Sequence, residues 1–235
     1  MLLQQVYDIL QTKIRRGCVN YNGFTKPGCP MRTVYLFLLP AVLFVAGLSL
    51  PFDTPQKSEV RSWSIDKSHS SVGFRVRHLG ISYVNGVFTD YDATLQFDPA
   101  DLSTLKTSAT IRVASINTGI ERRDNHLRSA DFFDAERYPE IRFVSKAVRN
   151  LQGNRFQLVG DLTIKGVTKE VVLDVEFLGT AQGMQGEQRA AFTARGTIDR
   201  FDFGLQWNRL TEAGGVVVGR EVTLLIDLEV VQENV

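Results

Sequence analysis

The chain has 235 residues, 43% of them hydrophobic and 23% charged, with a formal net charge of +1, a composition that suits one good-sized globular domain plus an appendage. The charge is uneven: residues 1–50 hold five cations and one acid, leaving 22 cations against 25 acids in residues 51–235. The larger part is therefore mildly acidic, and the broad basic footprint of a nucleic-acid-binding protein is excluded.

In chain order, residues 1–30 match neither a domain nor an ordinary signal. Met31-Arg32 makes a compact conventional start, so this stretch is either a mis-assigned start or an unusually long basic leader. From Val34 to Leu50 run seventeen residues without a charge, preceded by basic residues. Gly47-Leu48-Ser49 then offers small residues at the two positions a signal peptidase reads. The apolar run sits at the short end of the roughly 17–25 residues that span a bilayer, and Pro40 interrupts it. A cleaved secretory signal over residues 31–50 is expected ahead of an uncleaved anchor, and with it a periplasmic or secreted protein. Contact with a membrane would otherwise run through residues 34–50. Both cysteines, Cys18 and Cys29, lie upstream of the run, so a cleaved chain has no disulfide, no thiol nucleophile and no thiolate metal site.

Residues 51–61 are polar with two prolines and read as a linker to a domain over residues 62–233. From Trp63 to Val231 the dominant signal is period two, the mark of strands with one buried face. Apolar residues alternate at Val72, Phe74 and Val76, at Ile111 and Val113, and at Ile141 and Phe143. The pattern continues through Leu158, Gly160, Leu162 and Ile164, then Val171, Leu173, Val175 and Phe177, and finally Val222 to Val230. Asn85-Gly86, Asp98-Pro99, Gly153-Asn154, Lys165-Gly166 and Gly214-Gly215 read as turns between strands.

One polar, charged segment breaks the period. Gly119 to Pro139 reads as a helix, with Leu127, Ala130 and Phe133 on one apolar face. A second irregular stretch, from Asp199 to Gly215, carries Phe201, Phe203 and Trp207 and suits a loop across a rim. Eight or more antiparallel strands with polar outsides must dispose of their edges. Closure into a barrel does so, with a sandwich as the competing solution. The expected fold is all-β, an eight-stranded antiparallel lipocalin-like barrel with a short helix over one mouth.

Little in the chain points to catalysis. His69 and His78 are nine residues apart with no ligand spacing around them, so no metal or other cofactor is expected. The serines next to His69 lack a G-x-S-x-G elbow, and no phosphate-binding glycine loop occurs. Asp131 and Asp134 lie in the helical segment and read as solvated or capping. The apolar phase nominates an inner wall instead. Its candidates are Phe74, Val76, Phe88 and Leu95 from the first half, with Ile111 and Val113 after them. Phe132 and Phe133 come from the helical segment, and Ile141, Phe143, Leu158 and Leu162 from the strands that follow. Leu173, Val175, Phe192, Leu224 and Ile226 complete the set. Periodicity leaves open whether that interior is packed or hollow, since eight-stranded barrels do both. In the run from Glu121 to Ser129, Arg122, Arg123, His126 and Arg128 are candidates to meet an anionic head group at the mouth. The alternative for them is a solvated helical face paired with Glu121 and Asp124.

WSIDKSHSSVGFRVRHLG, NGVFTDYDATLQFD, SINTGIERRDNHLRSADFFDAERYPEIRFVS, GDLTIKGVTKEV and DRFDFG, in that order, resemble the YceI-like, polyisoprenoid-binding family. The resemblance runs from about Trp63 to Val231, and HLRSADFFDAERYPEIRF is its most specific stretch. It implies an extended lipocalin-like barrel with a long apolar pore, exported in many bacterial members, and an isoprenoid chain as ligand. It brings no catalytic residues. The expected function is that of an exported, non-catalytic protein holding a polyprenol, prenyl pyrophosphate or quinone-related lipid. The alternative is a structural or stress-related envelope protein with a filled barrel. A homodimer is possible on either reading, and no residue pattern decides it.

Overall fold

The computed structural model describes residues 59–209 and 216–233. The expected leader, the signal, most of the linker and the Gly214-Gly215 turn lie outside the described residues. The alternating segments become strands β1 (Arg61–Ile65), β2 (Ser71–His78), β3 (Ser82–Phe88), β4 (Tyr91–Asp98), β5 (Asp101–Arg112) and β6 (Ile116–Asn117). After helix α1 (Glu121–Arg128) come β7 (Glu140–Gln152), β8 (Arg155–Ile164), β9 (Val167–Gln182), β10 (Gln188–Asp199) and β11 (Val218–Gln232). Single 3₁₀ turns occupy Val113–Ser115 and Arg200–Phe203.

The strands form one antiparallel ring in the order β1-β4-β5-β7-β8-β9-β10-β11, and β11 returns to pair with β1. The long strand β11 takes β1 at one end (Trp63 opposite Gln232) and β2 along the rest (Phe74 opposite Leu224). β1 and β2 are thus two halves of one stave, interrupted at residues 66–70. β3 and β4 make a second such stave, and β5 and β6 a third, broken by the Val113–Ser115 turn. Eight staves close on themselves, which selects the barrel over the sandwich because a closed ring leaves no open sheet edge. Register shifts between β9 and β10, β4 and β5, and β7 and β8 supply the local twist that such closure needs.

Three local expectations are corrected. Asn85-Gly86 is not a turn but the middle of β3, where Gly86 lies opposite Phe74. A Cβ at Gly86 would come within 2.3 Å of the Phe74 ring, so glycine here makes room for an aromatic ring. The β2–β3 turn lies instead at Leu79-Gly80, both left-handed (φ 52° and 75°). The helix ends at Arg128 rather than running on to Pro139. Phe132 and Phe133 both face the interior, and a continuous helix would set neighbours about 100° apart. The chain turns instead: Phe133 N–H donates to Leu127 O (3.1 Å), and Asp134 N–H donates to Ser129 O (2.9 Å) from a left-handed backbone. Ala130, expected on the apolar face, is exposed.

Candidate functional site

The inward phase of the staves does not fill the barrel. It surrounds a cavity of about 210 Å³, larger than the roughly 150 Å³ apolar void that accommodates a benzene. On β11 the lining runs from Val218 to Leu228, which at about 3.3 Å per residue and a tilt near 40° spans about 25 Å of the barrel axis.

Aromatic packing closes one end. Trp63 stacks on Phe97 at 4.8 Å, Phe97 meets Phe192 edge-on at 5.2 Å, and Phe192 meets Phe177 at 5.0 Å. Trp63 and Phe97 are completely shielded, and each large ring removed from water stabilises the floor by about 2–3 kcal/mol. At the other end Leu127, Phe132, Phe133 and Leu205 reach over the opening from α1 and from the two connecting segments. Phe133 meets Phe88 edge-on at 6.2 Å, and Phe88 touches Phe74 at 5.8 Å.

The wall candidates come together with one exception. Phe74 and Val76 of β2, Phe88 of β3, Leu95 of β4 and Ile111 of β5 line the cavity, as do Phe132 and Phe133. So do Ile141 and Phe143 of β7, Leu158 and Leu162 of β8, Leu173 and Val175 of β9, Phe192 of β10, and Leu224 and Ile226 of β11. Val113 does not. The stave breaks after Arg112 into the 3₁₀ turn, Val113 N–H donates to Pro139 O (2.9 Å), and the side chain is buried behind the wall. Gly160 completes the phase of β8 because the Phe143 ring lies over it; a Cβ there would come within 2.4 Å of the ring.

The head-group candidates are not assembled at the opening, and none of the four lines the cavity. Arg123 donates to Thr118 Oγ1 (2.7 Å) and Thr118 O (2.8 Å). Arg128 donates to Ala114 O (2.9 Å) and Ile116 O (3.0 Å). These two cations tie α1 to β6 and serve the fold. His126 bonds Asp131 (2.9 Å) and stands edge-on to Phe132 and Trp207. Arg122 is exposed and makes no hydrogen bond or ion pair among the described residues.

Sequence reasoning missed the cation that does reach the wall. Arg200, 3% exposed, lines the cavity and donates to Gly219 O (2.9 Å), Trp207 O (2.9 Å), Val218 O (3.2 Å) and Leu205 O. Burial lowers its pKa, against the opposing pull of the nearby Asp199 carboxylate. Nothing in DRFDFG sets this arginine apart from its neighbour positions; only the fold of the 200–209 segment does. Two other polar side chains of the wall are also engaged: Tyr91 Oη donates to Ser70 O (2.7 Å), and Asp92 accepts from Lys67 (3.2 Å). No nucleophile stands beside a base among the described wall residues.

A separate polar cluster lies where β1 turns into β2. Asp66, His69 and Glu229 bring their possible metal-ligand atoms within 4.8 Å of one another. Arg189 already occupies the space between the carboxylates, donating to Asp66 (2.7 Å) and Glu229. Hydrogen bonds from His69 and Arg189 hold the Asp66 carboxyl well below the usual carboxylate range, and Asp66 raises His69 in return. This arrangement is an ion-pair clamp joining β1, β10 and β11.

Comparison with known proteins agrees with this architecture. A UPF0312 protein of Staphylococcus aureus (strain MSSA476) is 43% identical over 162 residues, 68% of this chain and 92% of the relative. The crystal structure of the Campylobacter jejuni YCEI protein superposes with a TM-score of 0.59 at 38% identity, covering 72% of this chain and 97% of that one. A polyisoprenoid binding domain from Saccharophagus degradans implicated in plant cell wall breakdown shares the fold (TM-score 0.55, 15% identity, 74% of this chain and 99% of that one). The YceI-like domain family model matches residues 63–230, nearly the whole barrel from the first stave to the last, and the chain belongs to that family.

Proposed function

We propose that this protein is an exported, non-catalytic carrier of a long isoprenoid lipid, held in the barrel cavity. The observation that carries the reading is the almost wholly apolar wall from Phe192 near the floor to Phe133 and Val76 at the mouth. A flexible hydrocarbon gains about 0.8 kcal/mol per buried methylene, so each five-carbon unit contributes about 4 kcal/mol gross. Association costs roughly 4–15 kcal/mol in lost freedom, so several units must be buried before binding is firm. That favours a long chain over a small apolar molecule. The polyisoprenoid binding domain that shares this fold supports the isoprenoid class. Arg200, with its donors spent on carbonyls, contributes a positive field at the mouth and favours a head group rich in oxygen. A wall without a nucleophile–base pair supports binding rather than turnover. The uncharged run from Val34 to Leu50 supports export.

Native mass spectrometry of the purified protein, followed by lipid extraction, tests the reading. About one polyprenyl species per chain is the expected result, on a polypeptide whose intact mass places its start near Leu50. Protein that is consistently empty, and that takes up no added polyprenol, would instead favour the envelope-protein alternative.

A further inference from the structure

The hairpin of β2 and β3 forms one side of the mouth, and its tip is bare. Ile81 is 86% exposed and Leu79 is 43% exposed. Leu79 N–H donates to Val217 O (2.9 Å), which brings the tip beside Val216, itself exposed, at the start of β11. One residue further on, His78 lies opposite Val218, and Val218 and Val76 line the cavity. Apolar surface therefore continues from the tip to the wall of the pore.

Two features distinguish this tip from an incidental apolar loop. Leu79 is left-handed at φ 52°, a turn position where Asn, Asp or Gly would be relaxed. An exposed leucine is held there against its own backbone preference. The hairpin also carries positive charge that nothing in it neutralises. Arg77 donates to Gly80 O (3.1 Å) and Tyr83 Oη (2.6 Å) and lies 4.8 Å from the Tyr83 ring centroid. Arg75 donates to Asn85 Oδ1 (2.8 Å). Every one of these partners is neutral, and residues 67–89 contain no acid. Met184, bare in the turn between β9 and β10, stands instead beside the Glu187 carboxylate, which accepts from Gln185 N–H (3.0 Å).

We propose that the β2–β3 hairpin is a membrane-docking element that inserts Leu79 and Ile81 into an anionic phospholipid surface, with Arg75 and Arg77 at the head-group level. Large aliphatic side chains flanked by cations and a tyrosine match the layered chemistry of such an interface. Each guanidinium near an anionic surface raises partition about fivefold, and docking this edge sets the pore opening against the lipid source. The proposal rests on the cargo reading above, since it supplies the route by which an insoluble chain enters without crossing water.

The full chain carrying Ile81→Trp is mixed with vesicles whose acyl chains are brominated, made of phosphatidylcholine alone or with one-third phosphatidylglycerol. Fluorescence of the introduced indole, read as the difference from the natural chain, is local to the tip and insensitive to the N-terminal apolar run. The expected result is strong quenching on anionic vesicles, weak quenching on neutral ones, and at least a tenfold loss of vesicle affinity when Arg75→Gln and Arg77→Gln are added. Equal quenching on both vesicles, or none, overturns the proposal. So does an Ile81→Asp variant that turns a dimer into a monomer while the quenching is absent, because the tip would then cover a second copy of the chain. Uptake of a fluorescent polyprenol separates the two ideas. Ile81→Asp should slow uptake from anionic vesicles about tenfold and leave uptake from a dilute ethanol dispersion unchanged. Failure of the natural chain to take up polyprenol from either source overturns the cargo reading, and the quenching result decides docking by itself.

Discussion

Two glycines and one arginine show how single residues shape the interior. Gly86 and Gly160 sit in mid-strand, where glycine ordinarily weakens a sheet, yet each lies under a phenylalanine ring that bends along the wall instead of projecting across the lumen. The added methyl of Gly160→Ala would meet the Phe143 ring at 2.4 Å and Val144 O at 2.7 Å, and only the first of these can move aside. An overpacking penalty of about 1–3 kcal/mol follows. It should appear as a lower urea midpoint with an unchanged slope, and an unchanged midpoint would disprove the account. Gly160 was recognisable from the sequence as a member of the inward phase; why it must be glycine was not, because the ring above it comes from another strand. Arg200 marks the opposite limit. Its four carbonyl partners lie five to nineteen residues away, so its burial is invisible until the 200–209 segment and the start of β11 are brought together.

At the scale of elements, the stave formed by β1 and β2 depends on the clamp at its break. Asp66 has a depressed pKa in the fold, so its ion pairs stabilise the protein above the unfolded carboxylate value near 3.9 and are lost as pH falls through the folded value. Glu187 is lowered in the same direction by Arg189. His69 is raised, so its contribution is complete below about 6.5 and is lost as pH rises through its folded value. Thermal melts should therefore show stability falling as pH drops below about 4. Asp66→Asn should flatten that fall and remove the small decline above about 6.5; an acid profile identical to that of the natural protein would count against the clamp. α1 shows how an element can mislead when read alone. Its cations suggested a ligand, but Arg123 and Arg128 donate to carbonyls around β6, where the third stave is broken by the Val113–Ser115 turn.

For the molecule as a whole, the decisive property is that eight staves close around space rather than around side chains. Phases that predict an apolar interior also predict which neighbour of each wall residue faces water. Val175→Asp places a carboxylate in the cavity and should abolish polyprenol uptake. Val172→Asp, on the exposed face of the same strand, should leave uptake within about twofold, as surface changes usually do. Measuring both by the same fluorescent-lipid assay separates loss of the pore from loss of the fold, and equal effects would reject the inside–outside assignment. Charge is arranged at this scale too. Residues 51–235 balance to three more acids than cations, while in the hairpin at the mouth Arg75 and Arg77 donate only to neutral partners.

Residue order along the chain was enough to establish that the domain is built of strands, which residues face inward on most of them, and where Asp98-Pro99, Gly153-Asn154 and Lys165-Gly166 turn the chain. These are local properties: period two is written along each strand, and turn residues act on their own backbone. The assembled fold was needed to see that the ring closes, that its centre is a cavity, that Val113 falls behind the wall, and that Arg200 rather than the cations of α1 reaches the opening. Each of those depends on which distant strand lies alongside and how much volume the inward side chains occupy between them. Alternation constrains the direction of a side chain, whereas packing decides whether it meets another one.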